Sequence, residues 1–131
     1  MTDEKLLEKM REATRGLTFM SESDYPFEVF KWDAKEPTPE FMRGLTKEAA
    51  DAPVETTTLS NFFRVAASDA EWKNKELLAA AKKFRALQKL LEENLKDLKV
   101  YRVGSVNIPV YIVGRAPSGR WLGVSTRVVE T

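Results

Sequence analysis

The sequence has 131 residues, the size of one domain, and its 21 lysine and arginine residues nearly balance 20 aspartate and glutamate residues. A chain of this length can bury a core without a metal or a disulfide, and a net charge of +1 gives no strong attraction to nucleic acid or acidic membranes. Histidine and cysteine are both absent from the sequence, which removes the commonest general base, thiolate nucleophiles and zinc ligands, and so excludes most hydrolytic chemistries.

The amino-terminal segment predicts an amphipathic helix. Behind an acidic first turn, apolar side chains recur at helical spacing, at Leu6, Met10, Ala13 and Leu17. Gly16 then supplies a stop. Residues 1–20 contain no apolar run like that of a signal peptide, and no window reaches the length of a membrane span. We therefore expect a soluble, cytoplasmic protein.

A short acidic loop and an aromatic strand follow. The segment Ser21-Glu22-Ser23-Asp24 predicts the loop, and residues 26–32 are rich in aromatic and branched side chains on both faces, as in a strand that is covered on two sides. Thr38 is the predicted cap of a short helix that Pro39 opens, with apolar side chains at Phe41, Met42 and Leu45.

The middle of the sequence predicts a second strand and a brief helical turn. Residues 54–59 are rich in threonine and other β-branched side chains, which favours a strand. Ser60 is the predicted cap of a helical turn that runs through Phe62 and Phe63.

A long amphipathic helix is the principal predicted core element. The segment Ser68-Asp69-Ala70-Glu71 has the pattern of a capping box directly before Trp72, and the helix is predicted to begin near Asn74. Its apolar face comprises Leu77, Ala81, Phe84, Gln88, Leu91 and Leu95, widened by Leu78, Leu87 and Leu90. Its other side is basic, with Lys82, Arg85, Lys89 and Lys96.

The remainder of the sequence predicts a β-meander. Three segments have the composition of strands, residues 100–103, 106–113 and 121–129. They are separated by Gly104-Ser105 and by Pro117-Ser118-Gly119, which are turn signals, and such short links imply antiparallel neighbours. The element order therefore predicts one α+β domain over residues 1–131, with helices packed on a mostly antiparallel sheet.

Two uncommon segments carry a resemblance to a known family. They are residues 19–30, Phe-Met-Ser-Glu-Ser-Asp-Tyr-Pro-Phe-Glu-Val-Phe, and residues 125–131 at the end of the last strand. Shorter matches lie in order between them: Trp32, Asp51-Ala52-Pro53, Phe62-Phe63, Trp72, Lys83-Phe84, Val100-Tyr101-Arg102, Ala116-Pro117 and Gly119. Over nearly the whole chain the sequence resembles the nuclease A inhibitor family.

The resemblance implies a fold and a partner. The fold is a three-layer α/β/α sandwich with a mostly antiparallel sheet, similar to that of plant pathogenesis-related proteins. The partner is a magnesium-dependent, sugar-nonspecific DNA/RNA endonuclease of the ββα-metal type, which a monomeric inhibitor blocks in a 1:1 complex as a substrate mimic. On this view the protein is not an enzyme, needs no cofactor, and contacts neither nucleic acid nor membrane.

The resemblance also implies the residues that touch the nuclease. An isolated loop glutamate is ordinarily a solvated acid and a chain end is ordinarily frayed. In the family, however, the position of Glu22 enters the nuclease active site, and the terminal carboxylate at the position of Thr131 ligates the magnesium of the partner. Trp72 is a candidate apolar anchor. Glu71 replaces an aspartate of the family, so it is open whether Glu71 and Trp72 contact the partner or only cap and pack the helix.

Other interpretations of the residues remain open. A protein of the same fold can bind a different target, since the residues of the binding site, and not the fold, determine the function. The basic side of the long helix would suit weak binding of single-stranded nucleic acid. Glu22, Asp24 and Glu28 offer carboxylates for glycoside cleavage, but no second motif in the sequence supports that chemistry.

Overall fold

The periodic segments of the sequence form helices and strands in the predicted order. The computed structural model describes residues 2–19, 25–32, 37–38, 41–42, 53–64, 66–71 and 73–129. Within them the elements are α1 (Asp3–Thr14), β1 (Thr18–Phe19), β2 (Tyr25–Pro26), β3 (Glu28–Trp32), β4 (Val54–Thr57), α2 (Leu59–Phe62), α3 (Lys75–Asn94), β5 (Lys96–Val103), β6 (Asn107–Arg115) and β7 (Trp121–Val129).

The predicted amphipathic first helix is confirmed as α1. The Thr2 side chain accepts a hydrogen bond from the Lys5 amide at 3.2 Å, which caps the first turn. Leu6 and Met10 are buried on its inner face. Gly16 adopts a left-handed backbone with φ 71°, a conformation that glycine takes without strain, and the chain leaves the helix there. Leu17 is buried as expected, but it lies beyond the helix end.

Helix α3 is the principal core helix, as predicted. Asn74 is its N-cap, and its buried residues are Ala81, Phe84, Leu87 and Leu91. The helix ends at Asn94, and Leu95 already has extended backbone, so Lys96 belongs to β5 and not to the basic side of the helix. Among the described residues, no helix combines the length and apolar character needed to cross a membrane.

One antiparallel sheet of five strands supports these helices. The strand order is β3-β7-β6-β5-β4, and every neighbouring pair is antiparallel. The predicted meander is confirmed as β5, β6 and β7, with Gly104 and Gly119 at positive φ in the two turns. Strand β5 starts earlier than predicted, at Lys96, and its pairing with β6 shifts register between Lys96 and Lys99.

Apolar side chains are buried on both faces of the sheet. The larger core lies under α1 and α3 and includes Met10, Phe84, Leu91, Ile112 and Val124. The smaller core lies on the other face, with Met42, Tyr101, Val103, Val113 and Trp121. The α+β class with helices on a mostly antiparallel sheet is therefore confirmed. The three-layer α/β/α arrangement and the likeness to the plant pathogenesis-related fold stay predictions.

Two short elements differ from the sequence prediction in their capping residues. The second strand ends at Thr57, and Thr58 caps α2 by accepting a hydrogen bond from the Asn61 amide at 3.1 Å. The predicted cap Ser60 therefore lies inside the helix. The difference arises because two polar residues flank Leu59 and only the first has extended backbone before the helix.

The predicted helix after Thr38 is seen in part. The Thr38 hydroxyl accepts a hydrogen bond from the Phe41 amide at 3.1 Å, as a cap should. Phe41 and Met42 are helical, whereas Pro39 and Leu45 lie outside the described residues.

Candidate functional site

The strands β1 and β2 carry the segment that contains Glu22. They pair in antiparallel fashion, Thr18 with Pro26 and Phe19 with Tyr25. Residues 20–24, which we call the Glu22 segment, join these two strands and lie outside the described residues. The described geometry of the site is therefore that of β1 and β2, the strands on either side of the Glu22 segment. This pair was absent from the sequence prediction because two residues per strand give no measurable alternation.

An aromatic stack holds β1 against α2 and α3. The ring of Phe19 lies parallel to that of Phe62, with 4.5 Å between centroids and 6° between planes. It also meets the edge of Phe84 at 6.1 Å and 89°. Both arrangements are favourable for aromatic rings, which add about 0.5–1.5 kcal/mol per pair beyond the burial of their area. The residue directly before the Glu22 segment is thus packed onto two helices.

A buried hydroxyl holds β2 against β7. The Thr126 hydroxyl donates to the carbonyl oxygens of Tyr25, at 3.3 Å, and Pro26, at 3.1 Å. Thr126 itself is buried, between Val124 and Val128 on the core face of β7. The residue directly after the Glu22 segment is therefore bonded to the last strand.

The last strand runs toward the same end of the sheet as β2 and β1. Glu28 of β3 lies opposite Ser125 of β7 in antiparallel register. Going back along the chain from Glu28 to Tyr25 therefore leads in the same direction as going forward from Ser125 to Val129. Val129 pairs with Asn107 and is the last described residue, while Thr131 lies outside the described residues.

Two clefts flank β1 at this end of the sheet. One, of about 410 Å³, is lined by the polar side chains of Glu55, Asn61 and Arg102 together with Phe19 and Val128. The other, of about 570 Å³, lies between β1, α2 and the first half of α3, and is lined by apolar side chains with Lys73, Glu76 and Lys83. The supports of the Glu22 segment and the beginning of α3 therefore share one surface region.

Two cationic side chains, Lys73 and Arg85, hold the segment before α3 through hydrogen bonds. The Lys73 ammonium is buried and donates to the carbonyl oxygens of Ala66, at 3.1 Å, and Ser68, at 2.6 Å. The Arg85 guanidinium donates to the carbonyl of Ala67 at 2.7 Å and to the carboxylate of Asp69 at 2.9 Å. Glu71 lies exposed in a turn of this segment, and Trp72 lies outside the described residues.

These contacts change the interpretation of the basic side of α3. Arg85 is engaged with the segment before the helix, and Lys89 forms an ion pair with Glu93 at 3.9 Å. Lys96 lies in β5. The predicted row of four basic side chains is therefore not one continuous cationic stripe.

The cap of α3 also differs from its prediction. Ser68-Asp69-Ala70-Glu71 does not start a helix, because α3 begins at Lys75. The carboxamide oxygen of Asn74 accepts the hydrogen bond from the Leu77 amide at 2.9 Å. The prediction of a capping box at residues 68–71 was therefore wrong, although the predicted helix start near Asn74 is confirmed.

Asn74→Ala is expected to lower the free energy of unfolding by about 1 kcal/mol, because it removes the acceptor that caps α3. Glu71→Ala should leave that free energy nearly unchanged, because Glu71 is exposed and lies outside the helix. Urea unfolding of both variants measures the difference. A larger loss for Glu71→Ala than for Asn74→Ala would contradict this assignment of the cap.

Two further features bear on the chemistry of the molecule. Within the described ranges, no three acidic, histidine or cysteine side chains lie close enough to hold a metal ion. Burial raises the pKa of the Tyr111 phenol, with a further increase from the charge of Glu28 and an opposing effect from Arg127. Tyr111 lies in the smaller core, on the sheet face opposite Thr126.

Sequence reasoning missed Phe62 and Thr126 as supports of the Glu22 segment. A signal for Thr126 exists, since it is the polar residue at alternate positions with Val124 and Val128 in a buried strand. Phe62 offers no comparable signal, because an aromatic residue beside Phe63 is ordinary core composition.

These features define an α+β protein in which the β1–β2 pair on either side of an acidic segment and the last described residues of β7 lie at one end of the sheet. The family model described as nuclease A inhibitor-like protein matches residues 4–131, and the chain therefore belongs to that family. The predicted membership is confirmed over nearly the whole chain. It is an inhibitor family, in line with a role other than catalysis. The comparison with curated proteins finds no match.

Proposed function

We propose that this protein inhibits a magnesium-dependent, sugar-nonspecific endonuclease of the ββα-metal type by occupying its active site in place of the substrate. Membership of the nuclease A inhibitor-like family supports an inhibitor of a nuclease. The observation that carries the finer proposal is the contact between β2 and β7 through Thr126. It ties the strand next to the Glu22 segment to the strand that leads to Thr131.

Two carboxylates supply the inhibitory chemistry in this proposal. The side chain of Glu22 imitates a substrate phosphate toward the cationic groups of the nuclease and the hydration shell of its magnesium. The terminal carboxylate of Thr131 is ionised at neutral pH and offers the oxygen ligands that magnesium prefers. The metal belongs to the nuclease, and the inhibitor brings no cofactor of its own.

Trp72 and Glu71 form the rim of the proposed contact. Tryptophan is enriched among interface residues that dominate binding energy, so Trp72 is the apolar anchor. Lys73 and Arg85 hold residues 66–69, shortly before this rim in the chain, through hydrogen bonds. Glu71 is exposed there, and its carboxylate is a third acidic contact.

The proposed complex contains one inhibitor and one nuclease. The inhibitor is a cytoplasmic monomer with the three-layer fold of its family, and its physiological role is to protect the cell from a nuclease made for export. A direct test is titration of such a nuclease with this protein at fixed DNA concentration. Cleavage should fall stoichiometrically and independently of the DNA sequence, whereas undiminished cleavage at a large excess of the protein would refute the proposal.

The purified protein is expected neither to cleave DNA or RNA in magnesium nor to bind either at physiological salt. The sequence contains no histidine to act as general base. Its net charge of +1 gives little overall attraction to the phosphates of a nucleic acid. Nuclease assays and filter retention measure the two properties. Cleavage that survives repurification would contradict the first expectation. Salt-sensitive retention of single strands would favour a nucleic-acid binder that uses the lysines of α3.

A further inference from the structure

The hydroxyl of Thr126 occupies a position where the strand pattern calls for an apolar side chain. Val124, Thr126 and Val128 follow one another on the core face of β7, and Thr126 is only 9% exposed. A buried hydroxyl costs free energy unless it is hydrogen-bonded. Here its partners are the carbonyl oxygens of Tyr25 and Pro26, so the polar group is compensated by the backbone of β2.

The strand that receives this hydrogen bond is weakly held by its own pairing. Strands β1 and β2 contain two residues each, and Pro26 has no backbone N–H to donate. An isolated two-stranded pair of this size is not stable in water. The position of β1 and β2 must therefore come from their contacts with the body of the protein, among them Phe62 and Phe84 beside β1 and Thr126 beside β2.

Thr126 also belongs to the strand that carries the end of the chain. Val129 follows it by three residues and pairs with Asn107, so the strand stays in the sheet up to its last described residue. One hydroxyl thus bonds the support of the Glu22 segment to the strand that leads to Thr131. A displacement of β2 relative to β7 would change the separation of the two proposed carboxylates.

We infer that Thr126 and Phe62 are positioning residues of the inhibitor, which fix the β1–β2 pair relative to the carboxyl-terminal strand before the nuclease binds. This inference rests on the proposed function. Neither residue need touch the nuclease, since each acts through the β1–β2 pair. The physical effect is pre-organisation, because strands that are already held in place lose less conformational entropy when the complex forms. A loosened β1–β2 pair should mainly raise the dissociation rate of the complex.

The experiment compares variants that keep or remove the hydroxyl. Thr126→Val retains the volume and the strand preference but removes the donor, and Thr126→Ser retains the donor. Thr14→Val is the matched control, because the buried Thr14 hydroxyl likewise donates to two backbone carbonyls, those of Met10 and Arg11 within α1. We measure inhibition of a magnesium-dependent, sugar-nonspecific endonuclease and thermal unfolding for each variant.

We expect Thr126→Val to weaken inhibition about fivefold to tenfold, with Thr126→Ser and Thr14→Val within about twofold of the parent protein. Phe62→Leu removes the stack on Phe19 and should weaken inhibition to a similar extent. Equal inhibition by Thr126→Val, Thr126→Ser and Thr14→Val would overturn the inference. If Thr126→Val fails to fold, Phe62→Leu takes its place, and parental inhibition by that variant would overturn the inference instead.

A double-mutant cycle with Glu22→Gln separates positioning from general stability. If Thr126 acts through Glu22, then Thr126→Val should weaken inhibition by less than about twofold once Glu22 is already glutamine. Fully additive losses would mean that Thr126 acts elsewhere, and the inference would be wrong. If Glu22→Gln alone leaves inhibition unchanged, the proposed role of Glu22 fails, and that result is distinct from a failure of Thr126→Val alone.

Discussion

Glu22→Gln is expected to weaken inhibition of the nuclease by about 2 kcal/mol or more while the melting temperature stays nearly unchanged. In the proposed complex the carboxylate is desolvated only when it faces the cationic groups of the nuclease. Its removal therefore affects the complex and not the free protein. Glu22→Ala should act in the same direction. Inhibition constants from titrations of nuclease activity and thermal unfolding curves measure the two quantities.

The matched control for this prediction is Glu8→Gln. Glu8 is an exposed glutamate in α1, so the substitution makes the same change in net charge without touching the β1–β2 pair. Inhibition by Glu8→Gln should equal that of the parent protein. A Glu22→Gln protein that is markedly unstable and yet inhibits normally would make Glu22 a structural residue.

The long elements of the fold were predictable because each repeats its pattern many times. Helix α3 spans 20 residues and presents its apolar face over several turns. Strands β6 and β7 each span nine residues, between turns marked by glycine and proline. The burial of one face of α3, and of both faces of β6 and β7, outweighs any single residue, so the type and order of these elements follow from their hydrophobic pattern.

Short elements and capping residues were predicted less well because one hydrogen bond decides each of them. Thr58 and Ser60 are both acceptable caps by composition, and so are Ser68 and Asn74. The choice between them depends on where the neighbouring chain packs. Lys73 illustrates this dependence, because its buried ammonium holds the carbonyls of Ala66 and Ser68 and so shapes the backbone before α3.

The candidate site shows the same contrast: its proposed contact residues come from local sequence patterns, whereas the contacts that hold β1 and β2 do not. Glu22, Trp72 and Thr131 were proposed from a resemblance carried by short sequence blocks. The supports of the Glu22 segment arise from contacts between residues far apart in the chain, such as Thr126 with Pro26, which are 100 positions apart. No local pattern encodes such a contact, and only the assembled sheet brings the two residues together.

A short glycine-serine extension after Thr131 is expected to weaken inhibition about tenfold to a thousandfold, with thermal unfolding unchanged. If the terminal carboxylate ligates the magnesium of the nuclease, the extension removes the negative group from the metal and adds bulk in a closed cleft. Ordinary chain ends tolerate such additions. Inhibition constants of the parent and extended proteins, measured against the same nuclease, give the effect.

The structure supplies a matched control for this prediction at the other end of the chain. Asp3 accepts a hydrogen bond from the Ser118 hydroxyl at 2.8 Å, so the beginning of α1 lies next to the turn that precedes β7. Strand β7 has nine residues, which separates that turn from Val129 by about 27 Å. The same glycine-serine tag placed before Met1 should therefore leave inhibition unchanged. Full inhibition by the protein extended after Thr131 would remove the terminal carboxylate from the site and leave Glu22 as the only proposed group that imitates the substrate.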